Sequence, residues 1–227
     1  MDAGGLCDRL RHLHVRDDEL AGQDAVNAVT NPDDIFQRWR CDARAAQLVM
    51  PDSAIITTCS RLGQASARTV CLRRMDEGRF VFLTDSRSKK CRELAENPKA
   101  VVTFLWAFVD RSGLRIAREV RIGGAVQPQP PSAYEDLYWS LIPNRRIRAY
   151  ICEQGAAADW DRLKERHDQL LVEVEAGKRL PMPAHFVAYE LFPCTMEFYE
   201  QVEEEEVCQS LQFIRAESGA WTLEESS

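Results

Sequence analysis

The feature that most constrains this chain is the change of hydrophobic period just after Pro51. Residues 54–60 (AIITTCS) are rich in β-branched side chains, and Leu62, Gly63 and Gln64 follow as a turn. Residues 65–74 (ASARTVCLRR) alternate, with Ala67, Thr69 and Cys71 set against Arg68, Val70 and Leu72. Asp76, Glu77 and Gly78 make a second turn, and 79–84 (RFVFLT) is a third strand. Strands joined by so few residues run antiparallel, because a parallel neighbour needs a crossover of a dozen residues or more. The pattern predicts an antiparallel meander.

The flanks are consistent with that frame. Asn31 can cap a helix, Pro32 suits its first turn, and Asp33 and Asp34 suit its positive end. Ile35, Phe36, Trp39, Ala43, Ala46 and Met50 form its apolar face, and Pro51 closes it. A basic stretch at 85–90 leads into a short helix from Ser88 through Leu94 and Ala95 to Asn97 and Pro98. Residues 100–108 are almost wholly apolar and predict a central strand, and 114–127 return as another. Helical spacing marks 132–141 (Tyr134, Leu137, Tyr138, Leu141), 145–154 and 159–176. Strands are expected again at 185–192, 195–201, 210–215 and 220–223. With no strand–helix–strand alternation, a doubly wound parallel sheet is disfavoured. The expected class is α+β, mainly β with helices: a closed or partly closed antiparallel barrel, which leaves few exposed edges. Residues 1–30 carry no sustained pattern and read as a flexible arm, with 31–227 as one domain.

Composition bounds the function. The net charge of −7 gives no electrostatic help to general nucleic-acid binding, so any anionic ligand needs a local basic cluster. The eight cysteines form no Cys-x-x-Cys pair and have no histidine at zinc-ligand spacing, so they read as reduced thiols and no metal site is expected. No leader-like segment opens the chain, and no stretch reaches the ~20 apolar residues of a membrane span, so a cytoplasmic protein is expected. His12, His14, His167 and His185 form no set and read as solvated, while Trp139 and Trp160 read as packing residues.

One constellation carries chemistry. Arg68 lies on the second strand, Thr84 ends the third, and Ser88, Lys89 and Lys90 open the following helix. Neighbouring strands can bring these together, and a helix start with a hydroxyl and two ammonium groups, facing a guanidinium, suits a phosphate.

Residues 64–106 also carry Ser66-Ala67-Arg68, Phe82-Leu83-Thr84-Asp85, Ser88-Lys89-Lys90, Asn97-Pro98 and Leu105-Trp106 in order. Similarity continues at Arg118-Glu119-Val120-Arg121, at Tyr138 and at Met196-Glu197-Phe198-Tyr199. In these motifs the chain resembles the pyridoxamine 5′-phosphate oxidase family over roughly residues 30 to 200. The resemblance implies a homodimeric FMN-binding split β-barrel with the flavin in a cleft between subunits. It assigns Arg68, Lys89 and Lys90 to the FMN phosphate, with a hydroxyl from Thr84, and Thr69, Val70, Cys71 and Leu72 to the isoalloxazine edge. Glu119 and Gln154 fall where the family has flavin-contacting glutamines, and Tyr199 replaces a tryptophan that would approach from the partner. Arg73 and Tyr138 match residues that contact the substrate phosphate. A further substrate arginine falls at Ile142, where Arg145 or Arg146 could substitute. The family's basic C-terminal motif is replaced by Val202, Glu203, Glu204, Glu205, Glu206 and Val207, whose carboxylates should repel a phosphorylated substrate. The implied activity is an FMN-dependent oxidase forming pyridoxal 5′-phosphate with O2 as acceptor. Catalysis there rests on the cofactor, so no catalytic side chain is named. The alternatives are an oxidoreductase of the same fold with another substrate, and a non-catalytic flavin- or pyridoxal-phosphate-binding protein.

Overall fold

A computed structural model of the chain describes residues 31–153, 158–203 and 209–224; the expected arm at 1–30 lies outside these residues. Helix α1 spans Pro32–Ala45, and Asn31 caps it through a bond from the Asp33 N–H to Oδ1 (3.1 Å). It ends earlier than the apolar spacing to Met50 predicts. Gln47 adopts φ 58°, Leu48 N–H donates to Ala43 O, and Gln47 N–H donates to Arg44 O. Those paired bonds terminate a helix in a left-handed residue. Glycine commonly signals that ending in sequence, and here glutamine fills the position.

The strands are β1 (Ser53–Cys59), β2 (Ala65–Asp76), β3 (Arg79–Asp85), β4 (Lys99–Val109), β5 (Arg115–Pro128), β6 (Phe186–Val202), β7 (Gln209–Arg215) and β8 (Trp221–Glu224). Helices α2 (Lys89–Glu96), α3 (Glu135–Trp139), α4 (Pro143–Ile151) and α5 (Trp160–Glu175) lie between them. The strand order is β3-β2-β1-β4-β5-β6-β7-β8, and β3 also pairs with β6, so the pairings close a ring of six. The pairs β2–β3, β3–β6, β6–β7 and β7–β8 are antiparallel. Glu77 (φ 49°) and Gly78 (φ 72°) make the two-residue turn between β2 and β3, whose positive φ values match the twist of a tight hairpin. The β2–β3 register shifts between Leu72 and Arg74, leaving Arg73 as a bulge.

Two expectations are corrected. The helix predicted over 132–141 is a 3-10 turn (Pro131–Ala133) followed by the short α3. The strands expected at 185–192 and 195–201 are one continuous strand, β6. Pro193, which reads as a break, sits between the β3 pairing, ending at Leu191, and the β7 pairing, starting at Thr195. There its missing N–H interrupts neither of these ladders.

The chain divides into two compact units, each with its own core. The first comprises the described parts of Met1–Ile55, Val101–Gly124 and Pro193–Ser227. Its core stacks Phe36 on Phe104 (5.0 Å), Trp39 on Phe198 (5.4 Å) and Phe198 on Phe213 (5.9 Å), edge to face. Arg118 is 2% exposed, its guanidinium lying 4.9 Å from the Trp39 ring and 5.6 Å from that of Phe108. It bonds Asp42 (2.7 Å) and the buried Glu200, tying α1, β5 and β6. The second unit comprises Ile56–Ala100 and Ala125–Phe192. In it Val81, Tyr134, Tyr138, Leu141, Phe186 and Ala188 form one cluster and Ile147, Leu170 and Leu180 another. Trp160, expected to pack, is 77% exposed at the start of α5.

Candidate functional site

The expected phosphate cluster is assembled within the second unit. Arg68, Val70 and Leu72 share one face of β2, and the β2–β3 hairpin carries the chain to Thr84 and α2. Lys90 is buried, and its Nζ donates to Thr84 Oγ1 (2.8 Å) and Ser88 Oγ (3.1 Å). Burial, and the nearby Arg68 charge, lower the Lys90 pKa from its ordinary value against smaller opposing effects of Cys91 and Asp85. Arg68 Nη1 donates to Thr58 Oγ1 and to the carbonyls of Ser66 (2.9 Å) and Ile56 (3.4 Å). Its Nη2 donates to Glu93 Oε2 (3.0 Å). Lys89 is exposed, its Nζ 3.6 Å from Glu93 Oε1.

Glu93 is the residue sequence reasoning missed. It is buried on α2 and accepts from Thr58, Ser66 (2.8 Å) and Arg68. Burial pushes its carboxyl upward, but the three hydrogen bonds and the Arg68 charge outweigh this and bring the pKa from 4.5 down to about 2. Its position three residues after Lys90 was the available signal, since it returns Glu93 to that side of the helix.

The donor set fits a phosphate. Arg68, Lys89 and Lys90 outnumber the Glu93 carboxylate, and Asp85, the other acid acting on Lys90, is paired with Arg87 (2.7 Å), so positive charge stays in excess, with the hydroxyls of Thr84 and Ser88 alongside. The Ser88 side chain does not cap α2; its carbonyl accepts from the N–H groups of Cys91 (3.1 Å) and Arg92 (3.3 Å) instead. Of the other residues expected around a flavin, Val70 and Leu72 are buried, Cys71 is half-buried and Thr69 is exposed. Gln154 lies outside the described residues.

Glu119 and Tyr199 belong to the first unit, where they line a cavity of about 200 Å³ with Arg121, Glu197, Ser210 and Gln212. Arg121 pairs there with Glu119 (2.6 Å) and Glu197 (3.5 Å). Burial does not dominate at Arg121: the bond and charge of Glu119 raise its pKa.

The expected substrate residues do not share one environment. Arg73 is half-buried at the β2 bulge. Tyr138 is fully buried, its hydroxyl at hydrogen-bond distance from Leu180 O (3.2 Å) and Pro181 O (3.1 Å), and burial raises its pKa. Arg145 is exposed and Arg146 half-buried on α4, where Arg146 lies 5.7 Å from the Trp139 ring. Ile142 is 59% exposed at the N-cap of the same helix. Of the acidic run, Glu203 pairs with Arg115 (3.0 Å), and 204–206 lie outside the described residues.

A mainly antiparallel sheet whose pairings close a ring, with helices between its strands, defines the split-barrel class. The protein-family profile described as pyridoxamine 5′-phosphate oxidase matches residues 42–177. The chain is 34% identical over 185 residues to a pyridoxine/pyridoxamine 5′-phosphate oxidase of Trichormus variabilis, covering 82% of this chain and 83% of that one. A Burkholderia thailandensis protein of the same name is 33% identical over 180 residues, with coverage of 79% and 80%. Among solved structures, PhzG from Burkholderia lata 383, in complex with tetrahydrophenazine-1-carboxylic acid, superposes with TM-score 0.75 at 23% identity, covering 91% and 96%. A pyridoxamine 5′-phosphate oxidase-related, FMN-binding protein from Nostoc punctiforme gives TM-score 0.62 at 17% identity, covering 84% and 93%. The chain belongs to the pyridoxamine 5′-phosphate oxidase family.

Proposed function

We propose that this protein is an FMN-dependent oxidase that converts pyridoxamine or pyridoxine 5′-phosphate to pyridoxal 5′-phosphate with O2 as acceptor. The observation that carries the proposal is the cluster of Arg68, Lys90 and Thr84 at the start of α2, together with Lys89. These residues would hold the FMN phosphate, with Arg68 kept in place by Glu93. When bound, FMN supplies the hydride acceptor and returns the electrons to dioxygen. The chain's own part is to bind and orient. Glu119, Gln154 and Tyr199, with residues 69–72, are proposed flavin contacts on the resemblance, and Arg73, Tyr138, Arg145 and Arg146 are proposed to serve the substrate.

A homodimer and a cytoplasmic location belong to the same proposal. Support for the dimer comes from an apolar surface in the first unit. Val101, Leu105 and Val109 alternate along β4 as exposed positions, with Ile55, Val49 and Met50 also exposed. Exposed apolar patches of that kind mark association surfaces. Among the described residues no helix is long and apolar enough to cross a membrane.

A flavoenzyme with a different substrate is the second reading. It is favoured by the engaged Tyr138 hydroxyl and by Ile142 in place of the family's arginine. Purified protein should be yellow, with a flavin absorbance band, and should release peroxide with pyridoxamine 5′-phosphate. Bound flavin without peroxide at saturating FMN and substrate rejects the oxidase and leaves the second reading or a non-catalytic flavin-binding protein. A colourless protein that ignores added FMN rejects all of these.

A further inference from the structure

We propose that Arg87 is a positioning residue for the phosphate grip: by pairing with the buried Asp85, it keeps that carboxylate from opposing a phosphate held by Lys90. The proposal rests on the FMN reading above and adds to it Arg87 and Asp85, to which neither the motifs nor the resemblance gives a part in binding.

The chain places an acid where the cluster can least accommodate one. Asp85 lies in sequence between Thr84 and Ser88, the two hydroxyls that receive Lys90 Nζ, and it is buried. A carboxylate with so little water to screen it would repel a phosphate bound at the same lysine. Arg87 meets both of its oxygens. Nε donates to Oδ1 (3.0 Å) and Oδ2 (3.3 Å), and Nη2 donates to Oδ2 (2.7 Å). The Arg87 backbone N–H adds a bond to Oδ1 (2.8 Å). A planar fork on a carboxylate compensates its charge with fixed geometry. Burial pushes the Asp85 carboxyl upward, but the bonds and charge of Arg87, with a smaller effect of His185, bring its pKa below the ordinary value.

The guanidinium is held from a second side. Nη2 also donates to the carbonyl of Cys152 (3.0 Å), the C-cap of α4, and Nη1 donates to Glu153 Oε2 (3.4 Å). The backbone around it has bonds of its own: Ser86 N–H donates to His185 O (2.8 Å), and Arg92 Nη1 donates to Arg87 O (2.6 Å). Those bonds do not use the Arg87 side chain. An alanine at position 87 therefore keeps the segment's backbone contacts and removes its charge.

The test is fluorescence titration of the full chain with FMN and with riboflavin, which lacks the phosphate. It is run near about pH 8, where a carboxylate without its partner is ionised. Arg87→Ala should weaken FMN by about tenfold or more, and leave riboflavin within about twofold of wild type. Arg87→Lys should recover part of the loss, since an ammonium supplies the charge without the fork. The double variant Arg87→Ala/Asp85→Asn should return FMN affinity to within about threefold of wild type, although the bonds to Cys152 and Glu153 are still missing. Asp85→Asn alone should bind FMN at least as tightly as wild type. The proposal is overturned if Arg87→Ala binds FMN like wild type or weakens riboflavin equally. It is also overturned if the double variant stays as weak as Arg87→Ala, which makes Arg87 a structural tether of α4. FMN binding that depends on Arg68 but not on Arg87 ends this proposal and keeps the flavin reading. Arg87-dependent FMN binding without peroxide formation ends the oxidase reading and keeps the proposal. A wild type that binds no flavin ends both.

Discussion

Replacing Arg68 by alanine should damage stability and flavin binding through two separable routes. In the folded chain the side chain is about one-fifth exposed, 22% against 6% for Glu93, and it makes the 3.0 Å ion pair with that carboxylate. Removing one partner of a fully buried pair costs about 3–5 kcal/mol, whereas surface pairs are worth about 0–1, so this half-way case should cost about 2–3 kcal/mol. Losing one charge-assisted phosphate contact should cost a further 1.5–3 kcal/mol of FMN affinity, about ten- to hundredfold in Kd. Urea unfolding of the flavin-free protein measures the first effect, and quenching of FMN fluorescence on titration measures the second. The double variant Arg68→Ala/Glu93→Gln separates them: without the orphaned carboxylate much of the stability should return, but the FMN affinity should not. If Arg68→Ala binds FMN within twofold of wild type, or if the double variant regains full affinity, Arg68 is a structural partner of Glu93 and the phosphate lies elsewhere.

Glu93 also predicts an acid limb. Its folded pKa near 2 lies below the ordinary 4.5, so its contribution is complete above pH 4.5 and drains as the pH falls towards 2. The gap corresponds to about 3 kcal/mol, and Glu93→Gln should flatten that part of the stability–pH curve in calorimetry. Gly123→Ala should destabilise by about 1–3 kcal/mol, because the added methyl would meet Thr195 Oγ1 at 2.6 Å. Thr195→Ala in the same chain should relieve most of that cost in thermal melts. Leu105→Lys, on the 65% exposed β4 position, should convert the expected dimer to monomer in light scattering without unfolding it.

Much of the sheet was legible because alternation and turn chemistry are local. The positions set against each other in β2 do face opposite ways, and Asp76, Glu77 and Gly78 do turn the chain. Non-local pairing was harder to read. Pro193 looked like a strand end because a lone strand gives no sign that its hydrogen-bonding partner changes at that residue. The end of α1 was hidden because Gln47 takes a conformation usually announced by glycine. Arg68, Thr84 and Lys90 could be grouped from the order of strands and helix start. Glu93 was harder: its spacing puts it on the Lys90 side of α2, but an acid on a short basic helix reads as solvated surface until Thr58 and Ser66 are folded against it. The carbonyl partners of Tyr138 lie after α5, beyond any spacing rule.

The 17-residue strand β6 carries a further implication. Its buried positions run 186, 188, 190, then 191 and 193, then 196, 198, 200 and 202. Side-chain identity along it can drift within the limits of size and polarity, but residue number cannot. Adding or deleting one amino acid would turn a whole half-strand inside out, exposing either Phe186 and Ala188 or Met196 and Phe198. Length variation among relatives should therefore be absent from this segment and gather at solvent-facing connections such as the loop around Ser112 and Gly113.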